Sequence, residues 1–269
     1  HREIDRLLCH YCNKKIVLPK ECPQCQEVNI KKIGVGTDYV VETIKKHFPR
    51  ASVLRWDRDT TKNPKTHELL LAKFQSHKAD VLVGTQMIAK GLDIPNVTLV
   101  GIVSADTGLN LPDFRSGERT FQLLSQISGR AGRGLIMGTV IIQTFQPENY
   151  AVNAAARQNF VEFYETEIQH RRKYGNPPFN RLIRLLYTNI NLANCKKACS
   201  ALANNLADQR NINGISDVDI IGAAPSFPSR LKGHYRWQII LRGSRPELLL
   251  SKVVVPRGWT IEVDPVTVM

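Results

Sequence analysis

Four short apolar runs, Ser52–Trp56, Val81–Val83, Thr98–Val103 and Thr139–Gln143, are spaced along the first half of the chain with amphipathic segments between them. Strands without polar alternation, separated by helices, are covered on both faces, as in a parallel sheet. This pattern constrains residues 33–146 to one α/β domain. Thr37 is expected to cap a helix bearing Val40, Val41, Ile44 and Phe48, which Pro49 ends. A short helix is expected over Thr66–Phe74, and another from Glu118 through Phe121, Leu124 and Ile127 to Gly129, with Gln122 and Gln126 facing elsewhere.

The stretch Val81–Arg133 concentrates the chemistry. It opens VLVGTQMIAKGLDIPNVTLV, with a Gly-Thr-Gln turn after the first strand, and closes QISGRAGR. Strand and helix ends are where α/β proteins place ligand groups. Arg130 and Arg133 are separated only by alanine and glycine, so two guanidinium groups can reach one polyanion, with donors that stay charged. The polar excursion Ala105–Thr120, with Asp106, Asp113, Arg115, Glu118 and Arg119, stands where a functional loop is expected. Arg55-x-Asp57-x-Asp59 reads as a salt-bridged loop or a magnesium site, and its flanking arginines favour the first. Gly34-x-Gly36 lacks a third glycine, and no GxxxxGKS/T occurs anywhere, so the chain has no phosphate-cradling loop of its own.

A net charge of +13 on 269 residues favours nucleic acid or another anionic surface as partner. No apolar run approaches ~20 residues, so no membrane span is expected. Four of the six cysteines form Cys9-x-x-Cys12 and Cys22-x-x-Cys25, the spacing of a zinc ribbon closed on four thiolates in a reducing compartment, with an iron–sulfur cluster or inert thiols as the alternatives. So small a region, poor in apolar residues, is expected to need the metal to fold. The opening HREIDRLL reads as the interior of a longer chain. Residues 147–180 read as a connector, one long helix opened by Pro147 and running to about His170. Its basic run HRRKYG, followed by NPPF, is either a solvated face or a contact to a DNA backbone. Residues 181–264 read as strand (Leu182–Tyr187), helix (Leu192–Ala207), strand (Asp217–Ile221), strand (Tyr235–Leu241), helix (Pro246–Val253) and strand (Thr260–Val263), the order of a split βαβ sandwich. Cys195 and Cys199, four apart with no second ligand pair nearby, are expected to be packing residues.

VLVGTQMIAKGLDIP with QxxGRAGR resembles the second motor domain of superfamily 2 helicases. GVGTD, RWDRDTTK, SADTGLNLPDFRSGER, CHYC/CPQC and NPPF narrow the resemblance to the primosomal replication-restart helicases, the primosomal protein N′ family, over nearly the whole chain. The resemblance implies an α/β fold: a RecA-like parallel-sheet second motor domain over 33–146, a partial zinc-binding cysteine region over 1–32, a helical connector over 147–180 and a ferredoxin-like (βαββαβ) C-terminal domain over 181–269. It implies that Arg133 is an arginine finger, Arg130 a neighbouring phosphate contact and Gln126 a contact near the γ-phosphate. Gly91 and Asp93 match the ribose-facing segment, and Gly84, Thr85 and Gln86 the loop that meets the DNA backbone. Arg230, Lys232 and Arg236 fall in a segment implicated in DNA binding and in docking the acidic tail of single-stranded DNA-binding protein, with Arg236-Trp237 expected to supply a cationic rim and an apolar pocket.

Three departures from the family pattern stand out. The family carries eight cysteines in two interleaved zinc sites, of which Cys9, Cys12, Cys22 and Cys25 are the four present here. Asn13 and Gln26 replace the usual glycines after each pair. The first motor domain, with its nucleotide-binding lysine and DExH pair, is absent from this sequence. The expectation is therefore a fragment of an ATP-dependent 3′→5′ DNA helicase that restarts stalled forks, inactive by itself. The intact protein would use ATP, Mg2+ and two Zn2+, with one or none of the zinc ions held in this fragment. The implied partners are forked or single-stranded DNA, the acidic tail of single-stranded DNA-binding protein, and primosome and helicase-loading proteins. The implied setting is the bacterial cytoplasm, with no membrane. Two other readings stay open: another superfamily 2 translocase, or a non-enzymatic zinc-containing DNA-binding protein with a degenerate motor fold.

Overall fold

The computed structural model describes residues 6–8, 15–17, 19–21, 26, 28, 36–57, 64–89, 97–129 and 138–269. The chain divides into two compact units that do not follow chain order. Lys31–Leu109 and Glu118–Phe163 form a parallel-strand unit; His1–Ile30, Asn110–Gly117 and Tyr164–Met269 form an antiparallel-sheet unit. Among the described residues no helix is long and apolar enough to cross a membrane.

Near the amino-terminal end, β1 (Arg6–Leu8) and β2 (Lys15–Val17) pair antiparallel with Leu8 opposite Lys15. There follow α1 (Thr37–His47), β3 (Val53–Trp56), α2 (Pro64–Gln75), β4 (Val81–Gly84) and α3 (Gln86–Ala89). Then come β5 (Leu99–Ile102), α4 (Asp106–Leu109), α5 (Ser116–Ser128), β6 (Thr139–Ile142), α6 (Tyr150–Ala156) and α7 (Phe160–Lys173). β3 pairs with β4 and β5 with β6, both parallel, Trp56 lying opposite Gly84 and Gly101 opposite Ile141. These strands coincide closely with the four apolar runs, but among the described residues they form two separate parallel pairs rather than the one sheet expected.

Two local expectations are corrected. Thr37 does not cap α1; Gly36 holds the N-cap position without a side-chain bond, and the Thr37 hydroxyl donates to Asp57 Oδ2 at 2.6 Å. A buried carboxylate needs a donor more than an exposed helix end does. The connector is two helices rather than one. α6 opens at Tyr150 rather than at Pro147, with Asn149 as its cap accepting from Ala151 N at 3.0 Å, and Gln158, at φ 51°, lies between α6 and α7. With that break, Ala151, Val152, Ala154, Ala155 and Phe163 cluster with Phe121 and Leu124 of α5, the Phe121 and Phe163 rings stacked 4.2 Å apart.

The antiparallel-sheet unit continues with β7 (Arg181–Asn189), α8 (Leu192–Ile212), β8 (Val218–Leu231), β9 (His234–Gly243), α9 (Pro246–Leu250) and β10 (Trp259–Val263). The sheet order is β10-β7-β9-β8, every neighbour antiparallel. Ile183 and Leu185 of β7 and Ile239 and Leu241 of β9 pack with Leu202 and Leu206 of α8 and Leu249 of α9. Leu182 and Ile240, on the alternate positions, pack with Val268 and with Phe114 from the 110–117 segment. Cys195 and Cys199 lie fully buried with Trp237, as packing residues. Burial pushes the Cys199 thiol up to about 12 and raises Cys195 as well, which keeps both in the unreactive protonated form.

Candidate nucleotide and DNA interface

The carboxyl ends of β3 and β4 form the best-defined polar corner of the parallel-strand unit. Asp57, buried just after β3, accepts from Thr37 and from Arg55 Nε at 2.5 Å, and Arg55 also pairs with Asp38 in the first turn of α1. That is the salt-bridged reading of the RWDRD tip; Asp59 lies outside the described residues. Trp56 Nε1 donates to His67 Nδ1 at 2.8 Å and so ties β3 to α2. Across the pair, β4 ends in Gly84, where a Cβ would lie 2.2 Å from the Trp56 carbonyl oxygen and 2.1 Å from Ile88 Cδ1. Only glycine fits this approach. The chain then turns, the Thr85 carbonyl accepting from Ile88 N at 3.0 Å, and Thr85 and Gln86 face solvent at the start of α3.

Gln126 is exposed on α5, on the stripe of Glu118 and Gln122 and away from buried Phe121 and Leu124. Gln122 Nε2 donates to Glu118 Oε1 at 3.3 Å. This stripe leads in sequence into Gly129 and the two arginines. Arg130, Arg133, Gly91, Asp93 and the four paired cysteines lie outside the described residues. Among the described residues no group of His, Cys, Asp or Glu side chains is arranged to hold a metal ion.

The 105–120 excursion is, in large part, a packing segment. Asp106 accepts from Thr144 Oγ1 at 3.0 Å and Phe145 N at 3.1 Å, closing the turn after β6. Asp113, buried, accepts from Arg115 N at 2.8 Å, Thr267 Oγ1 at 2.6 Å and Val268 N at 3.2 Å. It pins the last residues of the chain within the antiparallel-sheet unit. Only the tertiary partners separate this role from that of a catalytic acid.

Arg230, Lys232 and Arg236 lie on or beside the turn of the β8–β9 hairpin. The Arg230 guanidinium lies 5.1 Å over the Tyr235 ring, Lys232 takes φ 48° in the turn, and Arg236 NH1 donates to the Pro228 carbonyl at 3.4 Å. Arg236 and Trp237 do not serve one pocket. Successive strand residues point to opposite faces, and Trp237, 7% exposed, packs with Cys195 and Cys199. Sequence reading also passed over Arg184, buried at the middle of β7. Its signal was a lone charge in the apolar run LIRLL.

Parallel strand pairs with a glycine-led polar turn at one carboxyl end, and a helix running on to QISGRAGR, define a helicase-like α/β protein. Residues 26–134 match the family described as Helicase conserved C-terminal domain, and residues 172–266 match Primosomal protein N C-terminal domain. The chain is homologous to the PriA replication-restart proteins of many bacteria. It is 44% identical to Replication restart protein PriA of Bacillus subtilis over 90% of this chain and 30% of the relative. Identity is 40% with the Synechocystis protein of the same name, over 97% of this chain and 31% of the relative. With that of Treponema pallidum it is 37%, over 100% and 42%. The chain thus spans about a third of the length of these curated relatives.

Proposed function

We propose that this chain is the second motor half and C-terminal module of an ATP-dependent 3′→5′ DNA helicase that restarts stalled replication forks and supports primosome assembly in the bacterial cytoplasm. The observation that carries the reading is the β4–α3 corner. There a glycine without room for a side chain presents Thr85 and Gln86 to solvent at a strand's carboxyl end, where short polar groups suit contacts to a DNA backbone. In this reading 1–32 is a partial zinc region, 33–146 a RecA-like motor domain, 147–180 the connector and 181–269 a ferredoxin-like domain, which the βαββαβ order of β7 to β10 supports.

ATP would be bound against a first motor half, with Gly91 and Asp93 toward the ribose, Gln126 and Arg130 toward the phosphates, and Arg133 neutralising charge on the transferring phosphoryl group. Magnesium would be held chiefly by that half. Arg230, Lys232 and Arg236 supply the cationic surface for DNA or for the acidic tail of single-stranded DNA-binding protein. The β1–β2 hairpin fits a zinc knuckle: Leu8 and Lys15 pair, and the sequence joining them holds Cys9 and Cys12. Gln26 adopts φ 59°, the left-handed conformation that the family's glycine takes without strain. Zinc on these thiolates would supply folding energy rather than catalysis.

The test is Arg133→Ala in the full-length protein. DNA-stimulated ATP hydrolysis should fall by roughly a thousandfold or more, while binding of a fluorescent ATP analogue stays within a few-fold. Normal turnover in that variant would remove the finger assignment.

A further inference from the structure

The last turn of α7 carries His170, Arg171, Arg172 and Lys173. Their roles differ. Arg171 turns inward, its Nε donating to Glu167 at 2.7 Å and its NH1 to the Pro177 carbonyl at 3.3 Å, with the guanidinium over Phe114. Arg172 and Lys173 stay exposed, and among the described residues no carboxylate forms a salt bridge with either. Each lies instead over an aromatic ring: Arg172 4.8 Å from the centroid of Phe179, Lys173 5.6 Å from that of Tyr174. Both rings face solvent, Tyr174 59% and Phe179 38% exposed.

The backbone that presents the rings is pinned at every turn. Beyond α7 the chain turns at Gly175, φ 59°, with Gly175 N bonded to the Arg172 carbonyl at 3.2 Å and Asn176 N to that of Arg171 at 2.8 Å. Asn180 Nδ2 donates to the Gly175 carbonyl at 3.1 Å, and Arg242 NH1 to that of Tyr174 at 2.8 Å. A Cβ at Gly175 would lie 2.8 Å from Asn180 Nδ2, so this turn has no room to spare.

We propose that Tyr174, Phe179, Arg172 and Lys173 form a contact site for single-stranded DNA, the rings stacking on bases and the cations meeting backbone phosphates. A cation over one face of a ring leaves the other face for a base, and every base offers a π-face, so binding is sequence-tolerant. An acidic peptide would use the cations and leave the rings idle. A duplex would offer phosphates but no unstacked base. The rigid turn lowers the ordering cost of binding. The site deepens the helicase reading, resting on it only for the choice of DNA as the polymer.

The experiment is fluorescence anisotropy of a labelled oligothymidylate with the 269-residue chain over a salt series. Tyr174→Ala with Phe179→Ala should weaken binding roughly tenfold to several-hundredfold at every salt concentration. Arg172→Gln with Lys173→Gln should reduce the slope of log affinity against log salt by about 1.4. Tyr174→Trp should retain affinity and report binding through quenched indole fluorescence. Unaltered affinity and slope in variants with parental melting curves would overturn the site. An equal loss on blunt duplex DNA would overturn it too, as would failure of the unsubstituted chain to bind the oligonucleotide. The Arg133→Ala experiment reads ATP turnover, so the two proposals can fail separately.

Discussion

Arg184 stands between Ile183 and Leu185 on β7, yet the alternation of the strand sends its side chain to the face away from α8. At 2% exposure it is fully engaged: Nε donates to Gln238 Oε1 at 2.8 Å, NH2 to Ser226 Oγ at 2.7 Å and NH1 to Glu262 Oε2 at 3.2 Å. Burial draws its pKa down and Glu262 opposes the shift, while the guanidinium remains charged at any working pH. Arg184→Ala strands the Gln238 and Ser226 oxygens in the interior, and a loss of about 2–4 kcal/mol is expected. Arg184→Lys cannot make three directed bonds and should fall between alanine and the parent. Urea unfolding midpoints check the order, and an alanine variant as stable as the parent would contradict the network's role. The lone arginine was visible in LIRLL, but its partners lie on three other strands, 42 to 78 residues away in sequence.

Among the elements, the β4–α3 corner ties sequence most tightly to geometry. Gly84→Ala places a methyl against the Trp56 carbonyl, which is backbone and cannot turn aside. The β3–β4 pair must separate, and a loss of about 1–3 kcal/mol is expected, read as a lower melting temperature. Melting at the parental temperature would show that the corner yields. The strands themselves were legible, because a short apolar run bounded by polar turns has few other uses. The α6–α7 break was not. AVNAAARQ contains neither glycine nor proline and suits an unbroken helix; the break accompanies the packing of the alanine face of α6 and Phe163 with α5, a tertiary contact without local signal.

Across the molecule, the antiparallel-sheet unit gathers three separate stretches of chain. Arg181 binds the Asp264 carboxylate at 2.8 Å and, with the Leu182 amide, holds its pKa below the usual carboxylate range. A depressed folded-state value means the stabilisation is complete above the unfolded-state pKa, near 4, and is lost as pH falls through the lowered folded value. Asp264→Asn should therefore flatten the acid limb of melting temperature against pH. Asparagine tolerates the φ of 46° at this position, so the change isolates the charge. The pair is partly exposed, so the effect is small, and an unchanged acid limb would discount it. Sequence alone determined the four strands and their parallel sense, the βαββαβ order, the packing role of Cys195 and Cys199, and the class of protein through QISGRAGR and its companions. The strands, their order and the cysteines depend on periodicity and spacing along the chain, and the class rests on the resemblance that those motifs carry. Tertiary structure decided that Thr37 serves Asp57 rather than a helix end, that Asp113 anchors Thr267 and Val268, and that Arg236 and Trp237 face apart. Each of these depends on which distant group needs a donor, an acceptor or an apolar wall, and folding alone brings those groups together.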